Sequence, residues 1–204
     1  PEELFLESVT RLVELERAAG PAATFVTDIG EHMLFALHYL TAKDPRGFQI
    51  QLGLGSMGSG VSGAIGAAIG NRERPVVCIC GDGSMQMAGM ELLVAAKERL
   101  PVIFAVFNDA RYNMVYHGYK QVFGREAKWS TDFVDFAAWA RSMGVTGVRV
   151  NHPGEIRAEL FERLLELGGP AVLDIRIDRD VRLAGGGRNE ALQHMSMLSN
   201  KGVA

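Results

Sequence analysis

Cysteine is almost missing from this 204-residue chain: only Cys78 and Cys80 occur, both inside the apolar run 76–80. Alternate residues of a strand share one face, so the two read as small buried core thiols rather than as a metal or redox pair. Nothing demands an oxidising compartment. Basic runs are missing too. With a formal net charge of −3 and no Lys/Arg-rich stretch, a nucleic-acid partner held through its phosphates is excluded. No segment reaches the roughly 18–20 consecutive apolar residues that cross a bilayer. Residues 2–17 are too acidic for a signal peptide, which leaves a cytoplasmic location as the expectation. There is no internal repeat and no interdomain linker. Nor is there an initiating methionine, so a chain starting at Pro1 reads as a fragment or as part of a longer polypeptide.

What is present is strand and helix in alternation. Leu4, Phe5, Ser8, Leu12 and Leu15 recur at helical spacing, so residues 3–18 read as an amphipathic helix that Gly20-Pro21 stops. Strands are expected at 23–27, 48–52, 76–80, 102–107, 145–150 and 171–177, and helices at 31–40, 60–69, 88–99, 132–143 and 153–167. Residues 111–125 read as an irregular polar and aromatic stretch. The third strand is almost wholly apolar, as burial on both faces requires. This order predicts an α/β fold with three α/β/α layers and a mainly parallel six-stranded sheet, residues 1–182 forming one domain. Residues 183–204, with Gly185-Gly186-Gly187, are expected to form a mobile or lid-like tail. Ligands of such sheets sit beyond the carboxyl ends of the strands, which selects loops 28–32, 53–60, 81–87 and 108–120.

Two glycine motifs fall in those loops. Gly53-Leu54-Gly55-Ser56-Met57-Gly58 matches G-x-G-x-x-G between a strand and a helix, and Asp82 lies where a ribose-binding acid would close the next strand. An NAD(P)- or FAD-binding oxidoreductase domain is therefore one reading. Twenty-four glycines supply many chance matches, however, and Gly63 and Gly66 equally suit close packing of a helix on a sheet. The second motif, Gly81-Asp82-Gly83-Ser84, directly follows a buried strand, and Asn108 directly follows the next one. Parallel neighbours would set Asp82 beside Asn108, a carboxylate and an amide oxygen suited to Mg2+. The glycines bare backbone N–H groups at a helix start, where unpaired donors and the helix dipole stabilise a diphosphate; Ser84 adds a hydroxyl. A dinucleotide site needs neither a metal nor Asn108.

Gly81-Asp82-Gly83-Ser84 followed by Asn108-Asp109 resembles the thiamine-diphosphate motif. From about residue 22 to 178 the chain resembles the C-terminal cofactor domain of the acetolactate synthase-like decarboxylases and carboligases. Thr27-Asp28-Ile29-Gly30-Glu31-His32 is similar to that family's diphosphate loop, with Glu31 where Gln is usual. Leu54-Gly55-Ser56-Met57-Gly58 is similar to its Gly-Thr-Met-Gly turn, and Gly63-Ala64-Ile65-Gly66-Ala67 to the helix that follows. The resemblance implies that Asp82 and Asn108 bind Mg2+, with the Ala110 backbone carbonyl as third protein ligand. Gly30, His32, Gly83 and Ser84 would hold the diphosphate, with Glu31, Ser56 and Gly81 alongside. The Gly55 carbonyl would receive the aminopyrimidine amino group, and Met57 would wedge beneath the bent cofactor. Tyr112, Asn113 and Met114 fall where the family has a lid over the cofactor. Tyr112 and His117 are candidates to meet a 2-keto acid carboxylate or relay a proton, and loop residues packing on one another are an equal reading. FAD is possible in the family and is not indicated by this chain.

The resemblance also implies what is absent. The family forms its carbanion with a Glu bonded to the pyrimidine ring, supplied by a separate pyrimidine-binding domain or subunit. Glu31 and Glu91 read instead as a helix-start charge and a solvated face. The expected activity is decarboxylation of a small 2-keto acid, with ligation of the carbanion to an acceptor carbonyl left open. The expected assembly is a dimer or tetramer with the Glu-supplying partner. A catalytically inactive relative serving as a regulatory subunit is a third reading, opposed by intact Asp82, Ser84 and Asn108.

Overall fold

Six apolar runs form strands: β1 (Thr24–Thr27), β2 (Phe48–Ile50), β3 (Val76–Gly81), β4 (Val102–Asn108), β5 (Thr146–Val150) and β6 (Ala171–Arg176). They come from a computed structural model that describes residues 2–152 and 154–181, with side chains from Val9 onward. The predicted tail 183–204 lies outside the described residues. The strands pair in the order β2-β1-β3-β4-β6-β5, every pair parallel. Eight α-helices accompany them among the described residues: α1 (Glu2–Ala19), α2 (Glu31–Tyr39), α3 (Ser59–Gly70), α4 (Asp82–Ala88), α5 (Leu92–Lys97), α6 (Asn113–Phe123), α7 (Phe136–Ser142) and α8 (Ala158–Glu166).

The period-two alternation of β3 divides the core into two layers. Val77 and Ile79 pack with Leu12 and Leu15 of α1, Phe35 of α2 and Phe161 of α8. Val76, Cys78 and Cys80 face the other way, toward Val61 and Ala64 of α3, Met85 of α4, Leu92 of α5 and Phe136 of α7. Both cysteines are free and wholly buried, as core thiols should be. The adjoining Cys78 side chain and burial push the Cys80 thiol well above its ordinary range, which makes it inert. No described helix is long and apolar enough to cross a membrane.

From β1 the chain passes through α2 to β2 on one side, then returns through α3 on the opposite face to β3 on the other side. That reversal opens a crevice beyond the carboxyl ends of β1 and β3, where open α/β sheets bind ligands.

Several boundaries differ from expectation. The helix predicted at 88–99 begins already at Asp82 and breaks at a 3-10 turn, Gly89–Glu91, before α5. Gly89 is pressed against the Trp139 ring, leaving no room for a side chain. The stretch read as irregular contains α6, whose Tyr119 and Phe123 meet at the i, i+4 spacing with ring centroids 4.7 Å apart. Gly124, at φ 64°, ends it. α7 starts at Phe136 rather than 132 because Asp135 caps it, accepting from Ala138 N at 2.8 Å. β2 ends at Ile50, and α8 starts at Ala158. Gly66 faces open space, so it is not a packing glycine; Gly63 is closely packed, a Cβ there meeting Gln51 Nε2 at 3.2 Å and Val26 Cγ1 at 3.8 Å, and Gly60 more tightly still, where a Cβ would sit 2.6 Å from Asp28 Cα.

Candidate functional site

A cleft of about 290 Å3 opens beyond the carboxyl ends of β1, β3, β4 and β6. Gly30, Glu31, His32, Gly55, Met57, Gly81, Asp82, Gly83, Ser84, Tyr112, Asn113 and Met114 line it, whereas Ser56, Asn108 and Ala110 do not. Ser56 is exposed, its carbonyl accepting from Ser59 Oγ at 2.7 Å. His117 is buried against Tyr116 outside the cleft wall. Gly83 is the floor of a narrow place: a Cβ there would stand 2.5 Å from the Tyr112 ring and 2.8 Å from Met57 Cε. His32 likewise covers Gly30 and Gly81, which must be bare to admit its ring.

Asp28, at the end of β1, is the residue that sequence reasoning missed. Its carboxylate is wholly buried and accepts from five donors. Oδ1 takes Ile29 N at 2.6 Å, Gly58 N at 3.0 Å and Ser84 Oγ at 2.8 Å. Oδ2 takes Gly60 N at 2.7 Å and Val61 N at 3.1 Å. The N-terminus of α3 is thereby filled by an anion of the protein's own. A dinucleotide diphosphate on the Gly53–Gly55–Gly58 motif would need those same N–H groups, so the oxidoreductase reading loses its site. Ser84 gives its hydroxyl proton to Asp28, which leaves its backbone N–H rather than its side chain to serve an anion in the cleft.

The metal expectation fits the donors present. The register Gly81↔Phe107 puts Asp82 and Asn108 side by side, one step beyond the paired ends of β3 and β4. Asn108 Nδ2 donates to Asp174 Oδ1 at 2.8 Å and to Val134 O at 2.9 Å. Its Oδ1 is buried and has no hydrogen-bond partner, an orphan acceptor of the kind a hard cation satisfies. Ala110 adopts φ 55°, in the left-handed region, and its carbonyl accepts from Thr131 N at 2.8 Å. One lone pair of that carbonyl is thus engaged and the other remains. Burial pushes the Asp82 carboxyl up, against hydrogen bonds from the Gly83, Ala110 and Arg111 main chain. Burial and the charge of Asp82 push Asp109 up to about 7. Burial leads both shifts, and at Asp109 the charges of Arg111 and Arg179 oppose it.

Asn113 and Arg111 form the outer wall. Asn113 donates to Asp109 Oδ2 and to Arg179 O, and accepts Arg111 Nε at 2.5 Å. Arg111 also reaches Arg179 O and, at 3.0 Å, Asp180, with its guanidinium 4.1 Å from the Tyr116 ring centroid. The side chain of Asn113 is therefore spent on the wall, binding the loop after β4 to the segment after β6. Nothing in the sequence pattern joined those segments; only the β4–β6 pairing does.

His32 is neutral here. Burial lowers its pKa from 6.5 to about 4, opposed by the charge and main chain of Asp28. Its Nε2 has no partner. With the folded value below the unfolded one, this group's contribution to stability is intact above pH 6.5 and is lost as pH falls toward 4. The loss is up to about 3 kcal/mol. Asp109 runs the other way, its contribution complete below pH 3.8 and declining as pH rises through about 7. NMR of the ring nitrogens should show His32 unprotonated from pH 8 down to pH 5; a midpoint near the ordinary value would contradict this burial.

Comparison with known proteins agrees with the geometry. Residues 28–175 match the family model described as "Thiamine pyrophosphate enzyme, C-terminal TPP binding domain". Acetolactate synthase of Bacillus subtilis (strain 168) is 29% identical over 165 residues, covering 81% of this chain and 29% of that protein. Acetolactate synthase 2, chloroplastic, of Zea mays is 35% identical over 170 residues, 79% of this chain and 26% of that protein. The chain thus spans between a quarter and a third of the length of these relatives. In fold it is similar to benzoylformate decarboxylase from Polynucleobacter necessarius, with TM-score 0.74 at 18% identity, over 85% of this chain and 33% of that one.

Proposed function

Because the chain belongs to the thiamine pyrophosphate enzymes, as their C-terminal TPP-binding domain, we propose that its cleft holds thiamine diphosphate through Mg2+ in a 2-keto acid decarboxylase. Ligation of the product carbanion to an acceptor carbonyl is a second activity compatible with the acetolactate synthase relatives. The observation that carries this reading is Asp82 beside Asn108, whose buried Oδ1 has no partner. Thiamine diphosphate, when bound, supplies stabilisation of a carbanion at its thiazolium carbon.

The protein's part is to hold and orient. Asp82, Asn108 and the second lone pair of the Ala110 carbonyl would hold the cation. Ser84 would offer its backbone N–H to the diphosphate, since the Gly83 N–H is already given to Asp82 Oδ1 at 2.8 Å; bare Gly83 would leave room for it, with Gly30, Glu31, Gly81 and neutral His32 on its flank. Gly55 would accept from the aminopyrimidine, and Met57 and Tyr112 would shape the apolar side over Gly83. The activating Glu would come from a pyrimidine-binding domain or subunit. Exposed Leu54 at 95%, Met87 at 59% and Met90 at 60%, near the mouth of α3 and α4, support a dimer or tetramer that covers them. Residues 1–182 would act as one domain, in a cytoplasmic protein.

Native mass spectrometry of the complex from its own source, without added cofactor, tests this. Retained thiamine diphosphate and Mg2+, with a second polypeptide or a longer chain, is the expected result. A nicotinamide or flavin dinucleotide in their place would overturn it.

A further inference from the structure

Asp174 sits on β6, wholly buried and outside the cleft wall. A carboxylate within the apolar run Ala171–Arg176 is costly unless each oxygen is satisfied. Oδ2 accepts from Arg176 Nη2 at 3.1 Å and from Phe136 N at 3.2 Å, while Oδ1 accepts from Asn108 Nδ2 at 2.8 Å. Asn108 Nδ2 gives its other proton to Val134 O at 2.9 Å. Both of Nδ2's partners are acceptors, so a turned-over amide would set oxygen against oxygen twice. The amide therefore has one orientation, with Oδ1 as its free end.

We infer that Asp174 is a positioning residue, which holds Asn108 so that its amide presents oxygen, never nitrogen, to the divalent cation. This rests on the Mg2+ reading of the cleft. Partners behind a ligating side chain typically alter metal affinity by about 10–100-fold when changed. Asp174→Asn acts by a specific route. An amide at 174 keeps its oxygen for the two donors Arg176 and Phe136 N, and so turns its NH2 toward Asn108. Asn108 then has to turn over, losing Val134 O, or shift; either way its oxygen leaves the cation.

The test uses the protein in its native assembly, loaded with thiamine diphosphate and titrated with Mn2+. Water-proton relaxation reads both the affinity and the number of waters on the bound ion. Asp174→Asn should weaken Mn2+ by about 10–100-fold and add one water to it, as Asn108→Ala should. The double variant should be no worse than Asn108→Ala alone. Asp174→Ser, which also removes the paired acceptor, should show the same extra water and serves where Asp174→Asn does not fold. Weaker binding with an unchanged water count in both variants would mean a lost charge only, and would overturn the inference while leaving the cofactor reading intact. Wild-type protein that takes up no Mn2+ would overturn both.

Discussion

Asp82→Ala is expected to abolish the Mg2+ dependence of thiamine diphosphate binding, lowering its affinity by more than about a hundredfold. A direct ligand should count for more than the supporting contacts that typically cost about 10–100-fold. Asp109 is the nearest acid in sequence to Asn108, but its oxygens already accept from Arg111 N at 2.9 Å and from the Asn113 amide. Stability should move differently from affinity. The Asp82 carboxyl is raised by burial, so its contribution is complete at low pH and declines as pH rises through the folded value. Removing it relieves a buried charge but strands the Gly83 N–H that it accepts at 2.8 Å, so the unfolding midpoint of the ligand-free protein near neutral pH should move far less than in Asp28→Ala. What disappears is the added stability on saturating with cofactor and Mg2+. Calorimetric titration and thermal melts with and without Mg2+ would show both. Binding that keeps its Mg2+ dependence in the variant would contradict the assignment.

Asp28→Ala is expected to have the largest effect on stability, about 4 kcal/mol or more. Hydrogen bonds to a charged group contribute roughly 1.5–3 kcal/mol each, and a buried donor left unpaired costs roughly 1–3 kcal/mol. Alanine would strand the Gly58, Gly60 and Val61 N–H groups, while the Ser84 hydroxyl would keep only Ile29 O at 3.4 Å. Their burial leaves little room for water to replace the carboxylate. Gly60→Ala probes the same junction from the other side, since its Cβ would fall 2.6–2.7 Å from Asp28 backbone and Cβ atoms. Urea unfolding should show a lower midpoint with an unchanged slope in both variants. A loss below about 1 kcal/mol for Asp28→Ala would mean that the cluster is hydrated and the cage is not a structural unit.

The layered sheet was legible because β3, β4 and β6 are buried on both faces and so carry near-continuous apolar text. The pairing of Asp82 with Asn108 was legible for a related reason: parallel neighbours end at the same edge. The 111–125 segment was harder. Its tyrosines, lysine and glycine mask a helix whose apolar side is partly exposed. Asp28 reads locally as a turn residue, since four of its five donors lie 30 to 56 residues away. A signal did exist: an acid closing a buried strand, opposite a glycine-rich helix start with no cap of its own. Asp174 offered a plainer one, a carboxylate inside an apolar strand, which demands partners the local sequence cannot supply. Ser84 and Asn113 do line the cleft, but what their side chains bond to depends on contacts made across the sheet edge.

The Asp28 cage also bears on how the cleft meets a ligand. Segments from β1, the turn before α3 and the start of α4 are all pinned to one carboxylate before anything binds. Their conformational freedom is lost as the chain folds, so association need not supply the roughly 1–2 kcal/mol per residue that ordering loose backbone would require. One wall of the cleft is thus ordered from the outset, and the adjustment left to make falls on the side chains of Met57 and Tyr112, which meet over Gly83. On the proposed reading, such a site would discriminate by shape along a diphosphate and adapt where the ring system would lie.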